Sequence, residues 1–356
     1  MCPSYMATRD ENDSTRGRAN VLRLAMSGRL GETGLGDEGV KNVMELCLEC
    51  RACKAECPVG VDVARFKSEF LADYWSRHGV PARARILGHI HEISRWGSRF
   101  APIANWLSRN AASRWLNEHL FGLDRRRLPP AWAGNTFARQ FAARRIRRNG
   151  GSPAGTVYVF NDTFTNYYNP AVGMAGTRVL EAAGCNVALS PEACCGRPLI
   201  SQGLLDEARR TGASTTDALY RIASGGGQIV FFEPSCLSAV REDIPSLLRG
   251  DAQKKARRVA ESAVLFEDLV ERKAQTGGAS LPLRQGPKTI LLHGHCHQKA
   301  LGLLPVARSL LSRIPGSNVV DLDAGCCGMA GSFGYVRDHF DVPRAIGERR
   351  LLPAAR

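Results

Sequence analysis

The sequence predicts an α + α/β architecture: a helical N-terminal domain over 1–75, a basic helical connector over 76–150, and two α/β cysteine-rich repeats over 151–280 and 281–356. Three observations carry it. Cysteines spaced C-x2-C-x2-C-x3-C-P, from Cys47 to Cys57, follow two amphipathic segments. Between Arg77 and Arg148 fifteen arginines stand against Glu92, Glu118 and Asp124, a net +12 within a chain total of +14. Beyond that stretch one pattern occurs twice, its leading strands 133 positions apart and its Cys-Cys-Gly signatures 132 apart.

The N-terminal elements follow from caps and periodicity. Ser14 and Thr15 are candidate caps for a helix through ANVLRLAM that Gly28 ends, and VKNVMELC reads as a second helix delivering Cys47. After Pro58 the apolar positions Val63, Phe66, Phe70 and Tyr74 recur at intervals of three and four, so a third helix leaves the cysteine run. The loop GLGDEG, Gly34 to Gly39, matches G-x-G-x-x-G, but it follows a helix rather than a strand, and Asp37 and Glu38 would repel a pyrophosphate.

The cysteine run itself is the one with which bacterial two-cluster ferredoxins hold iron–sulfur cubanes, so 1–75 reads as an α-helical ferredoxin-type [4Fe–4S] domain. In such proteins the cysteine before proline serves the neighbouring cluster. A lone copy of the run is therefore one ligand short, with Cys57 to spare.

The connector interleaves its arginines, among them Arg125 to Arg127 and the patch Arg144 to Arg148, with Trp96, Trp106, Trp115 and Trp132. An anionic membrane surface or an acidic partner protein suits that composition, as does a solvated face with no partner; no nucleic-acid motif accompanies the charge. Turn formers at Asn149 to Pro153 mark the next boundary.

Each repeat alternates strand and helix. TVYVF at Thr156, a helix through GMAGTRVLEAAG and the strand NVALS lead to Cys194-Cys195-Gly196; TILLH at Thr289, a helix through LLPVARSLLSRI and the strand NVVDL lead to Cys326-Cys327-Gly328. Each pair then lies just beyond the C-terminal end of a strand, where open α/β sheets place their sites, and its glycine lets the backbone turn at φ > 0. Adjacent cysteines recurring at matched positions point to metal or redox duty, whereas Cys185 in LEAAGCNVAL reads as a buried apolar thiol. Cys236 in the first repeat and Cys296 in the second complete three cysteines per repeat. Superposing the leading strands puts Thr163 opposite Cys296, so the first repeat lacks a leading cysteine. A water, His293, His295 or His297 could supply a fourth ligand; the same histidines could instead cap a strand end or handle protons.

No window approaches 18 uninterrupted apolar residues and the N-terminus has no apolar leader pattern, so neither a membrane span nor a signal peptide is expected, and the reading is a cytoplasmic protein, peripheral on the membrane at most.

Together these residues resemble the iron–sulfur subunits and domains that accompany FAD-linked 2-hydroxyacid oxidoreductases. That group includes glycolate oxidase iron–sulfur subunit, lactate utilisation protein A, the C subunit of anaerobic glycerol-3-phosphate dehydrogenase and, through its paired-cysteine (CCG) domains, the B subunit of heterodisulfide reductase. The resemblance covers almost the whole chain. It implies that Met1-Cys2-Pro3 is the end of an earlier run, so that Cys2 completes the cluster of Cys47, Cys50 and Cys53 while Cys57 serves a second one. The partner cysteines of Cys57, and a cysteine near position 368 equivalent to Cys236, would lie outside this sequence, which is therefore expected to be a piece of a longer protein.

The implied function is an electron-transfer module: an FAD-binding dehydrogenase subunit or domain oxidises the substrate, and iron–sulfur centres pass electrons singly towards a quinone or another acceptor. Cys194, Cys195, Cys236, Cys296, Cys326 and Cys327 are the expected cofactor ligands of the repeats. Two rivals from other classes are a thiol/disulfide reductase acting at the repeats, against which the absence of a C-x2-C after Cys236 counts, and a zinc-held scaffold.

Overall fold

The computed structural model describes residues 2–144, 156–276 and 281–356. The basic positions Arg145, Arg147 and Arg148 and the boundary at 149–153 lie outside the described residues. Arg144 does not join a free patch: it bonds Val187 O (3.1 Å), pairs with Glu181 and stacks over Phe141.

Three of the N-terminal helices are each started by a short polar side chain that takes up otherwise orphaned N–H groups. Ser14 caps Thr15–Met26, Asp37 caps Glu38–Glu45 and Asp62 caps Val63–His78. Asp37, in the G-x-G-x-x-G loop, thus accepts from Gly39 and Val40 with its own carboxylate and occupies the N–H groups at this helix start. Leu22, Val40, Met44, Val63, Phe70 and Tyr74 pack together with Cys47. Phe66, expected in that stripe, is exposed instead. Its place is taken by the buried Lys67, because residues 63, 67, 70 and 74 follow the helical stripe more closely than 63, 66 and 70.

The connector contributes Ala82–Gly88, Ile90–Arg99, Ala101–Arg109 and Ala111–Phe121, then Phe137–Ala143. This last helix lays the fully buried Phe137 against Val157, Val159 and Leu180, so it packs as part of the first repeat. Trp132 turns inward beneath Gly97, whose missing Cβ leaves room for the indole, while Trp96, Trp106 and Trp115 stay exposed.

The first repeat is built on a parallel four-stranded sheet, ordered β2-β1-β3-β4, from β1 (Thr156–Asn161), β2 (Asn186–Glu192), β3 (Gln228–Phe231) and β4 (Ala263–Leu265). Helices Pro170–Ala182 and Leu205–Ser224 provide the crossovers that parallel strands require. Phe160 and Phe231 stack in the core, and Cys185 is buried among apolar side chains as its context predicts. The second repeat keeps two parallel strands, β5 (Thr289–Leu292) and β6 (Asn318–Asp321), bracketing helix Leu304–Ser312. Their pairing of Thr289 with Asn318 repeats that of Thr156 with Asn186. The C-terminal segment returns to the connector, where Asp124 N–H donates to Tyr335 O and Arg337 N–H to Gly122 O.

A candidate iron–sulfur centre and two paired-cysteine sites

The helix ending at Glu45 and the helix beginning at Val63 hold the cysteine run between them, and the loop wraps a cavity of about 80 Å³. Cys2, Cys47, Cys50 and Cys53 line its wall; Cys57 does not. Cys57 sits outside in a nest of backbone N–H groups from Val61, Val59 and Gly60, which hold its thiol below the ordinary range. Burial pushes the Cys47, Cys50 and Cys53 thiols up, opposed at Cys47 by the charges of Lys67 and Arg18 and at Cys50 and Cys53 by N–H groups of Ala52 and Val63. At Cys2 burial also acts upward, but the Ser4 hydroxyl, the Arg18 charge and Tyr5 N–H together outweigh it and lower the thiol.

Among the described residues no three His, Cys, Asp or Glu side chains are grouped tightly enough for a single metal ion. The four thiols are instead spread around a common cavity, the disposition a multi-iron core needs, with cations and loop N–H groups turned towards the sulfurs. The residues present therefore fit an iron–sulfur cluster.

Between the ferredoxin cysteines stand two residues that sequence reasoning did not single out. Glu49 and Arg51 both have left-handed backbone, at φ 51° and 60°, uncommon for side chains with a Cβ. Their side chains reach across to the first repeat. Glu49 accepts from Arg197, the residue after Cys194-Cys195-Gly196, at 2.8 Å, and Lys67 stands 3.6 Å from its other oxygen. Arg51 bonds Ser238, Glu242 and Asp243. The unusual backbone is held by these contacts.

The two repeats build their sites alike. Gly196 and Gly328 both have positive φ, 73° and 85°, and each N–H donates at 3.4 Å to the first sulfur of its pair, Cys194 or Cys326. In the first repeat Cys194, Cys195 and Cys236 form a chain of thiol contacts. Cys195 donates to Cys236, which favours the Cys236 thiolate, but burial and the nearby Asp162 and Glu233 prevail and push that thiol up to about 12. In the second repeat the chain runs Cys296, Cys326, Cys327, His293. Cys326 sits between the other two sulfurs and is the one of the three that keeps its proton, so its thiol is raised while Cys296 and Cys327 are lowered.

Of the three histidines, His293 lies beside the Cys327 thiol and helps to lower it. His295 caps helix Cys296–Ala300 by accepting from His297 N–H and stands 3.5 Å from Glu233. His297 is buried, its pKa held well below the usual value by burial and then by Arg197 and Arg51. Opposite Cys296, the first repeat carries Thr163, bonded to His91 at 2.8 Å.

The three sites adjoin. Cys50 packs with Leu48, Cys326 and Cys296 in one apolar cluster, and helix Cys296–Ala300 lies between Ala52–Glu56 of the ferredoxin loop and Pro234–Ser238, which carries Cys236.

Residues 1–61 match the family described as 4Fe-4S dicluster domain, and residues 160–241 the one described as Cysteine-rich domain. Over 324 residues the chain is 31% identical to the C subunit of anaerobic glycerol-3-phosphate dehydrogenase of Escherichia coli (strain K12), covering 90% of this chain and 78% of that one. The glycolate oxidase iron–sulfur subunit of the same strain is 26% identical over 365 residues, 98% of this chain and 81% of the relative. D-2-hydroxyglutarate dehydrogenase, again from that strain, is 25% identical over 94% of this chain but only 36% of its own length. No solved structure matches. The shared cysteine-rich architecture and these relatives place the chain, as an electron-transfer module of an oxidoreductase, in the family of iron–sulfur dehydrogenase subunits that includes those of anaerobic glycerol-3-phosphate dehydrogenase and glycolate oxidase.

Proposed function

We propose that the chain takes electrons from an FAD-binding dehydrogenase, acting on a 2-hydroxyacid or on glycerol 3-phosphate, and delivers them to a quinone or a similar acceptor. Cys2, Cys47, Cys50 and Cys53 hold one [4Fe–4S] cluster, Cys57 contributes to a second, and Cys194, Cys195, Cys236 and Cys296, Cys326, Cys327 bind further redox groups in the repeats. The segments 1–75, 76–150, 151–280 and 281–356 then act as cluster domain, connector and two redox repeats.

The observation that carries this reading is the shared apolar cluster of Cys50, Cys296 and Cys326, which makes groups held by the ferredoxin loop and by the second repeat immediate neighbours with hydrocarbon between them. A cluster bound there supplies a one-electron couple. The chain's own residues exclude water with Leu48, Phe333 and Ile346, and aim N–H groups at the sulfurs. They also fix the loop against the first repeat through Glu49 and Arg51.

The connector serves as the docking face for an anionic membrane surface. Trp96, Phe100, Ile103, Trp106, Trp115 and Leu120 are exposed amid its arginines, the pairing of amphipathic rings and cations that interfacial helices use. No helix among the described residues is long and apolar enough to cross a membrane.

Comparing Cys2→Ser with Cys57→Ser after anaerobic reconstitution tests the ligand assignment. Cys2→Ser is expected to damage the cluster held by Cys47, Cys50 and Cys53, and Cys57→Ser to spare it. The reverse ranking rules the assignment out.

A further inference from the structure

Arg18 lies in the first turn of Thr15–Met26 and is 1% exposed, among the most deeply buried side chains described. A buried guanidinium needs a compensating anion. Asp13 Oδ1 stands 3.7 Å from Arg18 Nη2 and supplies the ion pair for the buried charge, while Asp13 Oδ2 accepts from Thr8 at 2.7 Å. Arg18 directs its donors elsewhere: Nη1 to Cys2 Sγ, Nη2 to Ser4 Oγ and Nε to Val43 O, each at 3.2 Å. Ser4 Oγ is in turn 3.3 Å from Cys2 Sγ. With its oxygen accepting from Arg18, the Ser4 hydroxyl is free to donate to the same sulfur. One sulfur thus faces two donors, one of them charged.

We propose that Arg18 is the residue that positions Cys2 and raises the reduction potential of the cluster held with Cys47, Cys50 and Cys53. This rests on the reading of those four cysteines as ligands. Reduction adds one electron and no proton, because a guanidinium already holds its protons at any working pH. The added negative charge is stabilised by the cation and by both hydrogen bonds to sulfur, so the reduced state gains more than the oxidised one. Val43 O and Ser4 fix the plane of the guanidinium, which makes its effect directional as well as coulombic.

The test is an EPR-monitored redox titration of the anaerobically reconstituted full chain, with iron and sulfide measured on each sample. Arg18→Gln is expected to load normally and to lose tenfold or more in its reduction equilibrium, a fall of about 59 mV for one electron. Arg18→Lys, which keeps the charge and loses the fork, is expected to fall by less. A wild-type midpoint in Arg18→Gln at wild-type iron content overturns the proposal. If Arg18→Gln does not retain iron, Arg18→Lys decides, and a wild-type midpoint there overturns it. Cys2→Ser is titrated alongside: unchanged iron, sulfide and midpoint in that variant would refute the ligand reading itself, whereas a damaged Cys2→Ser beside an unchanged Arg18→Gln refutes only the role of Arg18.

Discussion

Replacing Arg51 by Met should loosen the ferredoxin loop from the first repeat by about 3 kcal/mol, the lower part of the range for breaking a buried ion pair by removing one partner. Arg51 is 2% exposed and meets three carboxylates. Glu242 is partly exposed and keeps Lys54 at 2.5 Å, so its loss matters little. Asp62 and Asp243 are buried, and among the described residues the cation left within ion-pair range of them without Arg51 is the half-exposed Arg65, at 3.8 and 3.7 Å, with Asp62 also keeping its cap bond from Ala64 N–H. Two desolvated carboxylates sharing one partly solvated cation set the magnitude. Met suits the test because it also carries a Cβ, leaving the left-handed backbone at Arg51 equally constrained. Urea unfolding of the cluster-free chain under anaerobic reducing conditions, followed by circular dichroism and tryptophan fluorescence, gives the loss directly. Adding Asp243→Asn to Arg51→Met should recover part of it, since one orphaned charge disappears. A loss below about 1 kcal/mol, with no recovery in the double variant, would refute the claim that this ion-pair knot ties the loop to the repeat.

Other outcomes follow from the same geometry. Glu271 is held down to about 2, first by Arg313 and then by Ser309 and Gln275, against 4.5 when free. Its contribution is complete above pH 4.5 and is lost as the pH falls from 4.5 towards 2. Because Arg313 is 35% exposed, solvent screening leaves about 1–2 kcal/mol. Glu271→Gln should thus cost that amount at pH 7 and flatten the acid limb of a stability–pH curve; an unchanged limb would count against the pair. Gly328→Ala brings a Cβ to 2.5 Å from Pro343 Cα at φ 85°, whereas the same change at Gly196 meets nothing closer than 3.7 Å. Unfolding should show a loss above about 2 kcal/mol for the former and about 1 for the latter; equal losses would remove the steric argument. In flotation assays the chain should bind anionic vesicles and not zwitterionic ones, and Trp96→Ala with Trp106→Ala should weaken binding at least tenfold. Equal recovery of this double variant with anionic vesicles would argue against the connector as a membrane face.

The sequence showed the elements best where local chemistry decides them. Ser14 caps its helix in the place its spacing suggests, and TVYVF, NVALS, TILLH and NVVDL are β1, β2, β5 and β6. The strands QIVF and AVL were not legible, since short continuous apolar runs carry no period that separates strand from helix. Phe66 was misplaced because the pattern was read from apolar residues alone, and the position nearer the stripe is Lys67, buried by donating to Cys47 O and Glu45 O. Of the site, the cysteines were visible from spacing, whereas Arg18, Glu49, Arg51 and Arg197 were not. Their partners are distant in the chain, Glu49 lying 148 positions from Arg197 and Arg51 192 from Asp243, and nothing local marks such pairings. The position of Arg51 inside a C-x2-C spacer was the one available signal.

The most direct test of the electron-transfer account is iron, acid-labile sulfide and zinc per chain after anaerobic reconstitution, with EPR of the dithionite-reduced sample. The account predicts iron and sulfide each at about four or more per chain, little zinc, and a signal that appears on reduction. Stoichiometric zinc with little sulfide and no reduction-dependent signal would contradict it and leave the paired-cysteine repeats as a metal-held scaffold.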